Sequence, residues 1–272
     1  MGTFLQTIFC KRNWDSGVTI TPGGGEVALG FSADSLLYAQ PREYVRTKDS
    51  TLTFNLTFDI SEDRDVDTVA LLFANIHNSS ATWRLKLYEA ADHVTPVLDT
   101  GNMTFWASPN LEGYDRTHAL WFSPSTVYSV DRIEIVVTDS LSDDNYISIG
   151  NAVISSAWRP SLNISYSSSP FGFASTSEFT PASSGAVHYN STGVFSDIPM
   201  LMESNSKDEV YQSWYSMFSS LGNSTPVLIV QMPEDASYIF QSMVWGVING
   251  PVTPVIQSYE FYRLRLSVRG LN

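Results

Sequence analysis

The sequence is poor in charge and in sulfur. Only 16% of its 272 residues are Asp, Glu, Lys or Arg, against about a quarter in an ordinary soluble domain. It has a single cysteine, Cys10, so no intrachain disulfide can form, and neither a disulfide-stapled small domain nor a Cys-rich zinc site is available. Basic residues are scarce and form no run. With 15 Lys and Arg against 28 Asp and Glu the formal charge is −13, which argues against nucleic acid and anionic membrane surfaces as partners. No stretch approaches the roughly 18 apolar residues of a membrane span, so no membrane insertion is expected. The opening MGTFLQTIFCKRNW has no basic region ahead of a long apolar core and does not read as a signal peptide. Gln6 stands where a myristoylation motif needs Ser or Thr. These features suggest a chain that is made and kept soluble, or that leaves the cell inside something larger.

Amphipathic helices are also scarce, and strands take their place. Hydrophobic residues make up 43% and aromatic residues 13%, enough for a real core, while Ser, Thr, Asn and Gln must supply most of the polar surface. In DTVALLFANIHNSSATWRLKLYEAA, residues 67–91, Val69 to Asn75 is almost wholly apolar. Thr82 to Tyr88 alternates, with Trp83, Leu85 and Leu87 on one side and Arg84, Lys86 and Tyr88 on the other. The pair reads as a doubly buried strand beside a half-solvated neighbour. Thr51 to Ile60 alternates with Leu52, Phe54, Leu56 and Phe58 on one face, SEDRDVD reads as a solvated turn, and Ile133, Ile135 and Val137 share a face. The three glycines at 23–25 have no following Lys-Ser/Thr and read as a plain turn, not a phosphate loop. Strand follows strand at short spacing without the crossover helices of a parallel sheet. The predicted fold is therefore all-β: an antiparallel jelly-roll sandwich over residues 1–160, then a second β-rich domain over 161–272. The boundary is placed near Arg159-Pro160, at the edge of a Ser-, Pro- and Gly-rich stretch.

The second region carries one convincing helix at about 206–221. Ser206 and Glu209 have the spacing of a capping box. Val210, Trp214, Met217, Phe218 and Leu221 fall on one stripe, and Gly222 ends the helix. TPVLIVQMP and the closing EFYRLRLSVRG, with Leu264, Leu266 and Val268 alternating against Arg263, Arg265 and Ser267, read as strands.

Catalytic constellations are hard to find. His77, His93, His118 and His188 are too far apart in sequence for a helical or hairpin metal pair, and no Gly-x-Ser-x-Gly elbow exists. Asp139, Asp143 and Asn145 have tolerable spacing for calcium, but the central glycine and terminal Glu of an EF-hand are missing and a hairpin turn explains the same residues. The expectation is no metal, no cofactor and no enzymatic activity. The aromatic stretch 101–122 is the better lead. Trp106, Tyr114 and Trp121 with Asp115 and Arg116 offer ring faces next to hydrogen-bonding groups, which is how proteins hold sugar rings. The same residues can equally cap the sandwich or meet another subunit. Tyr238, Phe240, Met243 and Trp245 hold more apolar material than one short strand pair can hide, and read either as an assembly surface or as the second domain's own core.

Ala70 to Asn75, Ala81 to Leu85, Ile133 to Asp139, Ile147 to Gly150 and Trp158 to Pro160 follow one another in an order that resembles the galactose-binding-like, discoidin-type jelly-roll found in many tailed-bacteriophage structural proteins. That resemblance covers under half of the chain. The second half, with its single helix, TPVLIVQMP and final strand, is similar to the tail-tube-like domain of phage distal-tail and tail-tip ring proteins. The resemblance implies a virion structural protein of the tail tip or baseplate, located in the virion after assembly in the host cytoplasm. Its implied partners are copies of itself in a ring, other tail proteins and host surface glycans. The alternative is a carbohydrate-binding or carbohydrate-cleaving protein acting at the cell surface.

Overall fold

A computed structural model of the chain describes residues 7–11, 17–23, 27–38, 43–76, 80–90, 92–105, 116–164, 173–175, 178–181, 187–190, 194–233 and 239–271. Two compact units emerge: Cys10–Trp158 with Glu234–Gln241, and Met1–Phe9 with Arg159–Pro233 and Ser242–Asn272. Antiparallel strands build both, as an all-β fold requires. The first residues depart from the expected division. Strand β1 (Ile8–Lys11) is apolar over Ile8, Phe9 and Cys10, all buried, and it forms an edge of the second unit's sheet.

The sandwich contains β2 (Val18–Pro22), β3 (Val45–Arg46), β4 (Thr53–Val66), β5 (Thr68–Ala74), β6 (Thr82–Tyr88), β7 (Leu98–Asp99), β8 (Met103–Thr104), β9 (Thr117–Phe122), β10 (Tyr128–Thr138), β11 (Ser148–Ile149) and β12 (Asn151–Ser155). One sheet runs β2-β4-β10-β6-β7, with β8 also on β6, and the other runs β12-β5-β9. Their inner faces share one core, to which β4 gives Phe54, Leu56 and Phe58, β10 gives Ile133, Ile135 and Val137, and β5 gives Val69 and Leu71. Each such side chain taken out of water stabilises the fold by roughly 1.5–3 kcal/mol.

Two expectations are corrected here. Strands β5 and β6 are consecutive but not neighbours, because they lie in opposite sheets. β5 reads as a continuous apolar run because it is the middle strand of three and buried on both faces: Ala70 and Leu72 are as inaccessible as Val69 and Leu71. β6 alternates because the outer face of its own sheet is wet. There Arg84 pairs with Asp99, Lys86 with Glu134, and the Tyr88 hydroxyl donates to Glu134 at 2.8 Å. Burial, reinforced by the Glu134 carboxylate, pushes the Tyr88 phenol up to about 12. The second correction concerns SEDRDVD, which is not a turn. β4 continues through it to Val66, pairing with Tyr128–Val130 after a register shift near Arg132. The backbone has a partner there, so the exposed Glu62, Asp63 and Asp65 do not end the strand, while Asp67 beyond it is buried and accepts from the Ala157 N–H at 2.8 Å.

The second unit contains β13 (Phe173–Ser175), β14 (Glu178–Pro181), β15 (Val187–Asn190), β16 (Val194–Ser206), β17 (Val227–Val230), β18 (Met243–Ile248), β19 (Thr253–Ile256) and β20 (Phe261–Gly270). Its main sheet runs β1-β17-β18-β20-β16-β13, with β19 also on β20. β16 holds Pro199, which a central strand normally excludes.

The helix occupies 207–221, with a π-helical stretch at Val210–Trp214 between Lys207–Glu209 and Tyr215–Leu221. Ser206 caps it by accepting from the Glu209 N–H at 3.2 Å. The reciprocal half of the capping box is absent: Ser206 already pairs with Phe261 in the sheet, and the Glu209 carboxylate accepts from the Ser161 N–H at 2.7 Å instead. Gly222 closes the helix with φ at 54° and its N–H on the Phe218 carbonyl, a conformation that costs a residue with a Cβ more than it costs glycine.

Met243 and Trp245 are 6% and 3% exposed, buried within the chain. Tyr238 and the Phe240 side chain lie outside the described residues, as does most of the Ser-rich stretch 165–185. Trp245→Ala is expected to lower stability by about 3–5 kcal/mol in urea unfolding while leaving the oligomeric state in sedimentation unchanged. Ile135→Ala, in the centre of the sandwich, is expected to cost about 2–5 kcal/mol. A loss below about 0.5 kcal/mol, the usual range for a surface site, would contradict its placement.

Candidate functional site

Strands β3 and β11 form a two-stranded ladder in which Ser148 faces Arg46 and Ile149 faces Val45. Side chains alternate across a strand and directly paired residues share a face. Val45, Thr47, Ile147 and Ile149 therefore point inward, and all four are fully buried. Tyr44 and Arg46 on one strand, with Tyr146 and Ser148 on the other, take the opposite face, where the three larger side chains are half-buried.

Two guanidinium groups meet aromatic rings on this face. Arg46 lies over the Tyr146 ring at 3.8 Å, and Arg116 lies 5.3 Å from the Tyr44 ring. Phe31 packs on the other side of the cluster, 5.3 Å from Tyr44. Arg116 donates to the Ser148 hydroxyl at 2.8 Å, and Arg46 pairs with Asp49. Asn75 links the rest: its carbonyl oxygen accepts from the Ser148 N–H at 2.7 Å, and its amide nitrogen donates to Asp144 at 2.8 Å and to the Tyr146 carbonyl at 3.1 Å. Two cations and two carboxylates leave the face polar and balanced in charge.

A backbone irregularity sets the position of Arg116. Phe73 has φ of 58°, a conformation uncommon for a bulky side chain. It sits where the register between β5 and β9 shifts, between Leu71 and Ala74. The displaced Phe73 N–H donates to His118 Nδ1 at 2.9 Å, and the Phe73 carbonyl receives Arg116 at 3.5 Å. His118 also meets the Phe73 ring edge-on at 5.0 Å. Accepting at Nδ1 fixes His118 as the neutral tautomer with its proton on Nε2. Partial burial, which disfavours the charged ring, holds its pKa down to about 4.

The structure places the sequence-derived candidates as follows. Arg116 is in the cluster. Trp121 is at the other end of β9, about 16 Å along the strand at 3.3 Å per residue, packed on Tyr128 and the sandwich core. Trp106, Tyr114 and Asp115 lie outside the described residues. Asp139 is buried and accepts from the Leu141 N–H within its own turn, whereas Asp143 and Asn145 are exposed. Among the described residues no three His, Cys, Asp or Glu side chains gather as a metal site. His93 pairs with Asp131 at the surface. Tyr44, Arg46, Tyr146 and Asn75 were not anticipated, although EYVRT and NYISI carry the alternation that places them.

No protein-family model matches the sequence, and no curated protein matches it. Among solved structures the chain is similar to the family 32 carbohydrate-binding module from C. perfringens NanJ in complex with galactose, at 12% identity over 54% of this chain and 98% of that one, with a TM-score of 0.41. It is similar to a Ruminococcus gnavus GH29 fucosidase in complex with fucose, at 12% identity, 52% of this chain and TM-score 0.40; the match spans 26% of that fucosidase chain. A third is a GH89-associated family 32 module from Clostridium perfringens in complex with GalNAc-β-1,3-galactose, at 12% identity, 52% and 96% coverage and TM-score 0.37. None of these three is a virion protein.

His118 makes stability depend on pH. Its folded pKa lies below the ordinary 6.5, so the unfolded chain takes up the proton first as pH falls. The stabilisation is complete above about 6.5 and is lost progressively down to about 4, on the order of 3 kcal/mol in all. Urea unfolding at pH 7 and pH 4.5 is expected to show a smaller difference in His118→Gln than in the unsubstituted chain.

Proposed function

We propose that this is a non-catalytic glycan-binding protein and that the face formed by Tyr44, Arg46, Arg116 and Tyr146 receives a neutral sugar. The observation that carries the reading is the pairing of each guanidinium with a tyrosine ring on one half-exposed, charge-balanced face. Sugar rings have an apolar side that stacks on an aromatic face and hydroxyls that need fixed donors and acceptors. Tyr44 and Tyr146 offer the first. Arg46, Arg116 and Asp144 offer the second, with Asn75 holding Asp144 and Arg116's partner Ser148 in place before any ligand arrives. The balance of two arginines against Asp49 and Asp144 favours a neutral sugar over an anionic one. Removal of either guanidinium would take away a charge-assisted donor, a contribution of roughly 1.5–3 kcal/mol.

A place in a phage virion is the second reading. It is supported by the exposed Val255, Tyr259 and Phe261 at the β19–β20 hairpin, since interface cores favour aromatic and apolar residues. Mass spectrometry of purified phage particles tests it: presence at structural stoichiometry supports it, and absence removes it.

Glycan binding is tested on an array of neutral and acidic glycans, including bacterial surface polysaccharides. The full chain is expected to retain a neutral sugar without hydrolysing it. Arg116→Ala and Tyr44→Ala are each expected to weaken retention at least tenfold, about 1.4 kcal/mol, with unchanged circular dichroism. Retention of no glycan by the folded protein would overturn the reading.

A further inference from the structure

We infer that the second unit carries a separate site, a cavity between the helix and the β19–β20 hairpin that takes a small neutral molecule bearing one aromatic ring. The cavity has a volume of about 290 Å³, at the small end of the roughly 300–1,000 Å³ typical of ligand pockets. Its inner wall is apolar, made by Val210, Trp214 and Phe218 from the helix and Ile248, Pro254 and Leu264 from the sheet. None of its lining residues is Asp, Glu, Lys or Arg, which is notable in a chain of net charge −13. An ionised ligand would lose its hydration there without gaining a partner.

Three further observations point to a ligand site and not to a packing gap. The helix is π-helical at Val210–Trp214, where it lines the cavity. Such turns add a residue to the helix and are frequent at functional sites. Tyr211, near the start of this segment, and Tyr215, just past its end, line the mouth yet remain 58% and 71% exposed. Tyr211 is held in place by an edge-on contact with Tyr262 at 6.0 Å and 87°. A fixed aromatic ring loses little conformational freedom when a second ring stacks on it. Ile256, the cross-strand partner of Tyr262, is 67% exposed and extends the same apolar rim. Polar groups are confined to Ser219, Asn223 and the tyrosine hydroxyls, enough to orient one hydroxyl or ring N–H of the ligand. The chemistry that fits is a neutral phenol or indole.

The site is independent of the glycan face, and either can fail without the other. The test follows backbone amide resonances of the full chain during titration with indole, p-cresol and the anion indole-3-acetate. Indole and p-cresol are expected to shift the amides of Tyr211, Tyr215, Asn223 and Val252, leaving those of Tyr44, Arg46 and Ser148 in place. Indole-3-acetate is expected to bind at least tenfold more weakly than indole. Ser219→Trp places a ring across the mouth from an exposed helix position and is expected to abolish the shifts, while Ser219→Ala retains them with the same melting temperature. Absence of shifts at millimolar indole, or equal shifts in the Ser219→Trp variant with a native spectrum, would overturn the inference.

Discussion

Strand β10 is hydrogen-bonded on both sides, to β4 and to β6, and its inward residues Ile133, Ile135 and Val137 are fully buried. The sandwich depends on that arrangement. A strand paired on both edges cannot slip by one residue without turning three aliphatic side chains to water and Arg132, Glu134 and Val136 to the core. Such a slip would forfeit several kcal/mol from the aliphatic groups alone and would bury an arginine and a glutamate as well. The register of β4 and β6 follows from the register of β10. The polar ladder on the outer face, including Arg132 with Asp59 and Lys86 with Glu134, is a consequence of that register and not its cause, since exposed ion pairs contribute little.

The candidate face inherits its precision from the same core. Val45, Thr47, Ile147 and Ile149 are buried, so the ladder of β3 and β11 cannot rotate, and Tyr44, Arg46, Tyr146 and Ser148 have only the outward face left. At Gly150 the chain passes from β11 into β12 and so into the second sheet of the sandwich. The face is thereby tied to β5 and β9, where the Phe73 bulge and His118 aim a carbonyl at Arg116. A neutral, half-buried histidine suits this task because it accepts the stray N–H without placing a charge beside the bulge.

Strand content was legible in the sequence wherever one face is wet. Phe54, Leu56 and Phe58, or Leu264, Leu266 and Val268, alternate visibly because their neighbours are solvated. Pairing was less legible. DTVALLF and TWRLKLY are adjacent in the chain and read as neighbours, but a strand buried on both faces carries no mark of which sheet it joins. Charge misled at SEDRDVD, where composition reads as a turn and a distant strand keeps it extended, with Asp65 opposite Ser129 and Val66 opposite Tyr128. At the site, Arg116 was legible as a cation among aromatics. Tyr44 and Tyr146 stand just ahead of two two-residue strands that are far apart in the chain, and their convergence depends on tertiary pairing. The left-handed Phe73 has no sequence mark at all, since nothing in VALLFANI distinguishes it from the strand around it.

The net charge of −13 bears less on either site than its size suggests. At physiological ionic strength a charge is screened beyond about 8 Å, so a ligand in contact responds to the groups beside it. On the sandwich face those groups cancel, Arg46 and Arg116 against Asp49 and Asp144. In the cavity of the second unit no charged residue is present to cancel. Part of the excess negative charge stands at Glu62 and Asp63, exposed on the outer run of β4. Both sites are thus electrically neutral surfaces on an acidic protein. Salt should therefore alter the protein's solubility and its encounter with charged surfaces more than any hold on the proposed neutral sugar or neutral ring.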